Sequence, residues 1–225
     1  MTEYIKFSDT VYATGWIPVS DTWTYASVYT LNVPAGALTK YSAYGKVKFT
    51  QHGVVKFGYI YPTSDTLLTL YAGSDFVVEN TATYPITNIN YSNAETPIGF
   101  PAVFNYLPVG ISASNVTLAG RFFVNNRICF YDFSCIFHGA ITFTSMPTLP
   151  IPVSALYNSG YYVWSAHGNA SYYHSALFPN GLLIGLSNSQ TIMHIMDSSG
   201  SPMSATVPVT WANNDVVDGH IYYEV

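Results

Sequence analysis

Short runs of alternating apolar and polar residues, separated by turn-forming residues about every ten positions, extend through most of the chain. Residues 46–51 alternate in this way, and His52-Gly53 then provides a tight turn into the apolar run 54–61. Turn residues at 62–65 separate that run from residues 66–71. Successive side chains of a β-strand point to opposite faces, whereas a surface helix needs an apolar repeat of about 3.6 residues that no segment sustains. The pattern therefore predicts an all-β protein that begins with an antiparallel meander.

Interruptions of the strand pattern predict two all-β regions with a connector between them. Residues 1–88 are predicted to form a small β-barrel or meander, with one strand over 23–33. Residues 89–110 contain three prolines and no clean alternation, so they are predicted to be a connector ordered by its aromatic residues. Residues 111–225 hold about eight short strands, which is typical of a jelly-roll-like β-sandwich. Within that region, Asn125-Asn126 predicts a tight hairpin turn.

Charged residues are scarce, at 8% of the 225 residues, whereas 16% are aromatic, including 20 tyrosines. Ordinary soluble domains carry about a quarter charged residues. A monomer so poor in charge has difficulty keeping its surface solvated, but a subunit covered by its neighbours does not. Tyr, Ser, Thr and Asn can line subunit contacts or a sugar-facing surface without the desolvation cost of ions. The composition therefore favours a self-associating building block or binding module over a freely diffusing enzyme.

Charge and hydropathy argue against two kinds of partner. The net charge is −5, whereas an extended phosphate-binding surface needs clustered basic residues, so no nucleic-acid partner is expected. No stretch approaches the roughly 18 apolar residues of a membrane helix, so no membrane insertion is expected. The first residues lack a cationic start followed by an apolar run, so we expect synthesis in a cytoplasm without a signal peptide. All five lysines lie between Lys6 and Lys56, which makes the first region the more conventionally solvated one.

Sequence signatures of catalysis and metal binding are missing. The chain contains no nucleophile-elbow, zinc-protease, phosphate-loop or dinucleotide-binding motif. Carboxylates are too few to offer an obvious glycosidase pair, and the six scattered histidines match no standard zinc spacing. We therefore expect a protein that is not an enzyme and that holds no metal or cofactor.

The return strand of the predicted hairpin is apolar on both faces, as expected for a core strand or for a strand at a subunit interface. Cys129 and Cys135 would lie too far apart along it to form a disulfide, so buried free thiols are predicted. Asp132 stands among apolar residues and is the carboxylate most expected to be buried, with Arg121 or Arg127 as its ion-pair partner. We interpret this group as structural rather than catalytic.

The most unusual segment, residues 157–174, interleaves five tyrosines, one tryptophan and two histidines with Asn, Ser and Gly. Aromatic faces stack on sugar rings, and small polar side chains supply adaptable hydrogen bonds. Alternatively, the same aromatic residues fill the sandwich core or a subunit interface. The candidate glycan-contact residues are Tyr161, Tyr162, Trp164, His167, Tyr172, Tyr173 and His174.

Strand-and-turn motifs along most of the chain carry a family resemblance. They lie at 23–36, 46–51, 55–59, 66–75 and 96–101 in the first part, and at 120–122, 129–130, 147–152 and 219–224 in the second. These motifs resemble those of small tail-fibre and minor structural proteins of tailed bacteriophages and prophages. The resemblance implies a virion surface component that forms a homotrimer and joins other virion proteins through residues 1–88.

The expected function is therefore that of a bacteriophage virion structural protein. In the preferred interpretation it is a tail-fibre or tail-tip appendage that binds host cell-wall polysaccharide. The sequence leaves two alternatives open. One is a head-decoration or head-fibre protein with a purely structural role, and the other is a cell-encoded, lectin-like carbohydrate-binding module.

Overall fold

The computed structural model describes residues 14–108, 115–139, 148–152, 167–173, 182–186, 193–196, 201, 203–204 and 210–225. Within these residues the chain is almost entirely β, with one four-residue helix, and its strands form two antiparallel sheets of seven strands each. The predicted all-β fold class is confirmed, and the arrangement is consistent with an all-β sandwich. In the same residues, no helix has the length and apolarity needed to span a membrane.

The chain divides into two compact units, and each unit contains one of the sheets. Unit one takes the described residues of Met1–Tyr71 together with Phe76–Pro101. Unit two takes Ala72–Asp75 and the described residues of Ala102–Val225. The chain therefore contributes four residues to unit two before it completes unit one.

The sheet of unit one contains the predicted meander. Its elements are β1 (Ile17–Pro18), β2 (Thr24–Ser27), β3 (Thr30–Asn32), α1 (Ala37–Lys40), β4 (Gly45–Gln51), β5 (Val54–Ser64), β6 (Leu67–Tyr71) and β7 (Thr87–Ser92). The strand order is β1-β7-β4-β5-β6-β3-β2, so β4, β5 and β6 are consecutive neighbours. His52 and Gly53 connect β4 to β5 with φ values of 52° and 74°, as the tight hairpin turn requires.

Three details of unit one differ from the sequence prediction. In the described residues the sheet does not close into a barrel, because its edge strands β1 and β2 do not pair with each other. Edge strand β1 has only two residues, and its Pro18 lacks the N–H that further pairing would use. The single strand predicted over 23–33 is instead the hairpin of β2 and β3. Pro62 lies within β5 rather than in a turn, at a register shift that accommodates it.

The sheet of unit two has the C-terminal strand near its centre. Its strands are β8 (Phe104–Asn105), β9 (Val116–Asn125), β10 (Ile128–Phe137), β11 (His167–Tyr173), β12 (Leu182–Leu186), β13 (Met193–Met196) and β14 (Val216–Glu224). The order is β13-β12-β11-β14-β10-β9-β8, so β14 lies between β10 and β11. The hairpin of β9 and β10 turns at Asn126-Arg127, one residue later than predicted, with φ values of 46° and 65°.

The segment predicted as a connector, residues 89–110, is shared between the two sheets. Strand β7 begins at Thr87 and pairs with β1 and β4, so a division at residue 88 falls inside a strand of unit one. Strand β8 pairs with β9 at the edge of the second sheet. Because Pro101 and Pro108 flank a strand of only two residues, the sequence shows no alternation there.

Strand β10 is buried on one face only. Its alternate residues Cys129, Tyr131, Phe133, Cys135 and Phe137 all lie in the core of unit two. Both cysteines are free and buried, as predicted. The other face is not covered within the chain, because the side chains between these residues reach the surface to different extents. The core-strand alternative is therefore wrong, and the subunit-interface alternative stays a prediction.

Candidate functional site

The structure does not describe all seven candidate glycan-contact residues. Four of them, Tyr161, Tyr162, Trp164 and His174, lie outside the described residues. His167 is the first residue of β11, and in the sheet register it lies opposite Tyr222 of β14.

Tyr172 and Tyr173, the two adjacent tyrosines of β11, lie in different environments. Tyr172 is 8% exposed, and its ring meets the ring of Trp211 edge-on with the centroids 5.9 Å apart. Trp211 in turn contacts Phe137 at 4.7 Å between centroids, so Tyr172 belongs to the packed interior of unit two. Tyr173 is 37% exposed, as expected for the next residue of a strand.

The predicted ion-pair residues lie on the surface of the β9–β10 hairpin. Arg121 is directly opposite Asp132, and its Nε lies 3.1 Å from Asp132 Oδ2. The side chains are 63% and 55% exposed, so the expected burial of Asp132 is wrong: this residue lies on the outward face of β10. Arg127 has a different acidic neighbour, since its Nη2 lies 4.0 Å from Glu224 Oε1.

Three aromatic side chains form a row across the outward face of the second sheet. Phe130 of β10 lies directly opposite both Phe123 of β9 and Tyr222 of β14. The rings of Phe123 and Phe130 stack with centroids 4.7 Å apart and planes 5° from parallel. Those of Phe130 and Tyr222 are 6.1 Å apart at 27°. Phe130 is 36% exposed and Tyr222 is 40% exposed, while Phe123 is half-buried; we call these three residues the aromatic row.

An ion pair lies on each side of the aromatic row. On one side of the row lie Arg121 of β9, Asp132 of β10 and His220 of β14, each two residues along its strand from the row. These three residues are paired in register across adjacent strands. In the other direction, at the hairpin end, the Arg127–Glu224 pair borders the row. Each side thus carries one guanidinium and one carboxylate.

This face combines aromatic side chains with charged groups. The rings of the aromatic row stack on one another, so their edges face outward, and the ion pairs beside the row offer hydrogen-bond donors and acceptors. Within the described parts of the chain, no three His, Cys, Asp or Glu side chains are grouped so that they could hold a metal ion.

Sequence reasoning drew attention to residues 157–174 and missed the aromatic row. The available signal was Phe130, an apolar residue on the second face of the predicted strand. Its meaning depends on the register with β14, which comes much later in the chain. Pairing between distant strands cannot be deduced from the alternation within each strand.

Trp16 of unit one is covered more fully than the aromatic row. Trp16 is 2% exposed, and its Nε1 donates a hydrogen bond to the carbonyl oxygen of Ile98 at 2.8 Å. Lys48 Nζ lies 4.5 Å from the centre of the Trp16 ring, at a cation–π distance. This cluster therefore serves packing within unit one rather than contact with a ligand.

Comparison of the chain with protein-family models, curated proteins and solved structures found no match.

Proposed function

We propose that this protein is a structural component of a bacteriophage virion, exposed at the virion surface as a tail-fibre or tail-tip appendage. The observation that carries the proposal is the aromatic row, a set of stacked and partly exposed aromatic side chains on the outward face of an all-β unit. The strand-and-turn resemblance to small phage tail-fibre proteins and the low charge content of 8% support the same role. The protein acts by binding and needs no catalysis.

In this proposal the two units have different roles. Unit one joins other virion proteins. Four of the five lysines lie among its described residues, and the exposed Lys40 is suited to the polar rim typical of a non-obligate interface. Surface contacts such as Lys40 Nζ to Asp21 Oδ2, at 2.6 Å, belong to that rim. Unit two carries the aromatic row.

We further propose that the protein is a homotrimer. The scarcity of charge supports self-association, because obligate interfaces resemble a domain core cut in two. Light scattering on the purified chain at micromolar concentration tests this. A mass of 24.7 kDa, that of a single chain, would contradict it.

The virion role is tested by locating the protein on purified particles. Antibodies raised against the whole purified protein are preferable to a C-terminal tag, because Val225 is buried. Gold-labelled antibody is expected at the tail. Label confined to the capsid would support the head-fibre alternative, and particles without the protein would refute the virion role.

A further inference from the structure

We propose that copies of this chain associate through the outward face of the second sheet, which is formed by β9, β10, β14 and β11. In this assembly the aromatic row of one copy packs against the aromatic row of the next, about a rotation axis parallel to the strands. The inference rests on the proposed homotrimer and names its interface. It gives the aromatic row a role in assembly.

The outward side chains of β9, β10 and β14 lie in level rows, because the strands pair without a register shift. Two polar rows follow the aromatic row, and a second, largely apolar row follows them. In order, these rows are Arg121, Asp132 and His220; Ala119, Ser134 and Asp218; and Thr117, Ile136 and Val216. The two apolar rows are about 20 Å apart. A sheet face that only meets water is polar throughout, so this pattern indicates a face with a partner.

The apolar rows match themselves in a second copy. Rotation about an axis parallel to the strands keeps each residue at its height, so each row meets the same row of the next copy. With the axis between β10 and β14, strand β10 of one copy faces β14 of the next. Phe130 then meets Tyr222 of the next copy, and Ile136 meets Val216. These contacts need only the outward edges of the rings and the aliphatic groups.

The polar rows are complementary in the same arrangement. Asp132 of one copy meets His220 of the next, and Ser134 meets Asp218. In each pair a carboxylate accepts a hydrogen bond that the imidazole or the hydroxyl donates. An axis directly over β10 would instead bring the Asp132 carboxylates of different copies together. The distribution of charge therefore favours a second copy of this chain, placed about the axis between β10 and β14.

The outward face has the size and the exposed apolar surface that such contact requires. The nine residues of β14 extend over about 30 Å, and four strands are about 19 Å wide. Their product, roughly 600 Å² before the relief of the side chains is counted, is comparable to the 800 Å² that each partner buries in a standard interface. Phe130 and Tyr222 are 36% and 40% exposed, so association would remove further aromatic surface from water.

Light scattering of the purified full-length protein over a range of concentrations tests the face. Phe130→Lys and Ile136→Lys each place an ammonium group in one of the two apolar rows, where the facing row offers it no partner. Each variant is expected to raise the concentration at which half the chains are assembled by at least about tenfold. Circular dichroism and thermal unfolding show whether each variant is folded. Ile136→Lys leaves the stacked rings intact, so it tests the face even if Phe130→Lys does not fold.

Two matched controls place a lysine at exposed apolar positions elsewhere. Tyr61→Lys lies in unit one, and Val103→Lys lies in unit two outside its strands. These side chains are 39% and 42% exposed. Both controls are expected to keep the mass of the parent protein. Equal dissociation of the controls and of the two test variants would overturn the assignment to the outward face.

Disulfide cross-linking tests which rows meet. Chains carrying Ser134→Cys are coexpressed with chains that carry Asp218→Cys and a tag of different size. The native thiols are buried, so mild oxidation with copper–phenanthroline is expected to link the two kinds of chain through the new cysteines. Ser134→Cys with Glu224→Cys is the control, because these rows are about 20 Å apart and no mixed pair is expected. A mixed pair in the control alone would overturn the proposed arrangement.

The remaining outcomes separate this inference from the proposals on which it rests. Folded Phe130→Lys and Ile136→Lys that both keep the parent mass would overturn the face and leave the homotrimer standing. A parent mass of 24.7 kDa would overturn both. A mass of two chains that falls in Phe130→Lys would refute the trimer and support the face. Antibody labelling is independent: a protein that assembles through this face but is absent from particles refutes the virion role alone.

Discussion

Gly219 lies against the ring of Phe133, the residue directly opposite it on the neighbouring strand. A methyl group at residue 219 would lie 2.5 Å from Phe133 Cζ and 2.6 Å from Cε1. The same ring is in register with Gly120 on the other side, in β9. The ring of Phe133 therefore occupies the space that Gly219 leaves at the centre of the second sheet, a device that also covers the backbone of a glycine in a strand. A methyl group at Gly120 would instead meet the carbonyl oxygen of Tyr106 and the ring of Tyr131.

We expect Gly219→Ala to destabilise unit two by about 1–3 kcal/mol, because the added carbon overpacks the core. Unfolding in urea, followed by tryptophan fluorescence, measures the change. Ser134→Ala is a suitable control, since it alters the neighbouring residue on the other face of β10. If Phe133→Leu restores stability in the presence of Gly219→Ala, the contact itself is responsible. Equal stability of Gly219→Ala and the parent chain would show that the ring moves freely aside.

Gln51 holds the segment that follows β6 in unit one. Its amide is fully buried, and Nε2 donates hydrogen bonds to the carbonyl oxygens of Glu79 and Tyr84, both at 2.9 Å. Its Oε1 accepts a hydrogen bond from the backbone N–H of Glu79 at 3.0 Å. The Gln51 side chain thus provides hydrogen-bond partners for three backbone groups in residues 79–84, which belong to no strand.

We expect Gln51→Met to destabilise unit one by about 1–3 kcal/mol, because it leaves buried backbone groups without partners. Hydrogen exchange at the Glu79 amide is expected to accelerate as well. Thr50→Val, on the opposite face of the same strand, is expected to change stability by less than about 0.5 kcal/mol. Unchanged exchange at Glu79 in a folded Gln51→Met variant would contradict the anchoring role.

Local sequence signals predicted the parts of the fold that depend on neighbouring residues. The β4–β5 hairpin followed from the alternation of residues 46–51 before His52-Gly53 and the run 54–61 after it. The φ values of these two residues are those of the turn that such a pair favours. The thiols of Cys129 and Cys135 were predicted to be free and buried because a straight strand separates them.

Elements that depend on distant pairing could not be predicted in the same way. Strands β7 and β8 are short or irregular, and each exists because a longer strand, β4 or β9, provides the hydrogen-bonding partner. The exposure of Asp132 was missed for the same reason. Its immediate neighbours are apolar, but only the pairing with Arg121 and the core on the other face show that it points outward.

The two buried thiols predict a loss of stability at alkaline pH. Burial raises the pKa of Cys129 to about 12, although a hydrogen bond with Tyr223 opposes the shift. Burial also raises the pKa of Cys135 to about 12, from an ordinary value of 9.0. Below pH 9 the thiols are neutral in both the folded and the unfolded state. Between pH 9 and 12 they ionise in the unfolded chain only. The free energy of unfolding therefore falls as the pH rises through this range.

Urea midpoints at pH 8, 10 and 11 test this dependence. Cys135→Ala removes one titrating group, so its free energy of unfolding is expected to fall less steeply with pH than that of the parent chain. The native protein is also expected to react negligibly with a thiol reagent at pH 8, and to expose two thiols per chain in denaturant. Identical pH slopes for the variant and the parent chain would rule out a contribution from Cys135.

The last prediction concerns the start of an independently folding unit two. A fragment of residues 111–225 lacks β8, whose Phe104 stacks on buried Phe122 at 5.6 Å between ring centroids. A fragment of residues 102–225 keeps that contact but lacks Ser74, which donates its backbone N–H to Asn105 at 2.9 Å. We therefore expect the longer fragment to fold with reduced stability, and the shorter one to bind a hydrophobic dye and aggregate because Phe122 is uncovered. Urea unfolding and dye fluorescence compare the two, and equal stability would show that β8 is dispensable.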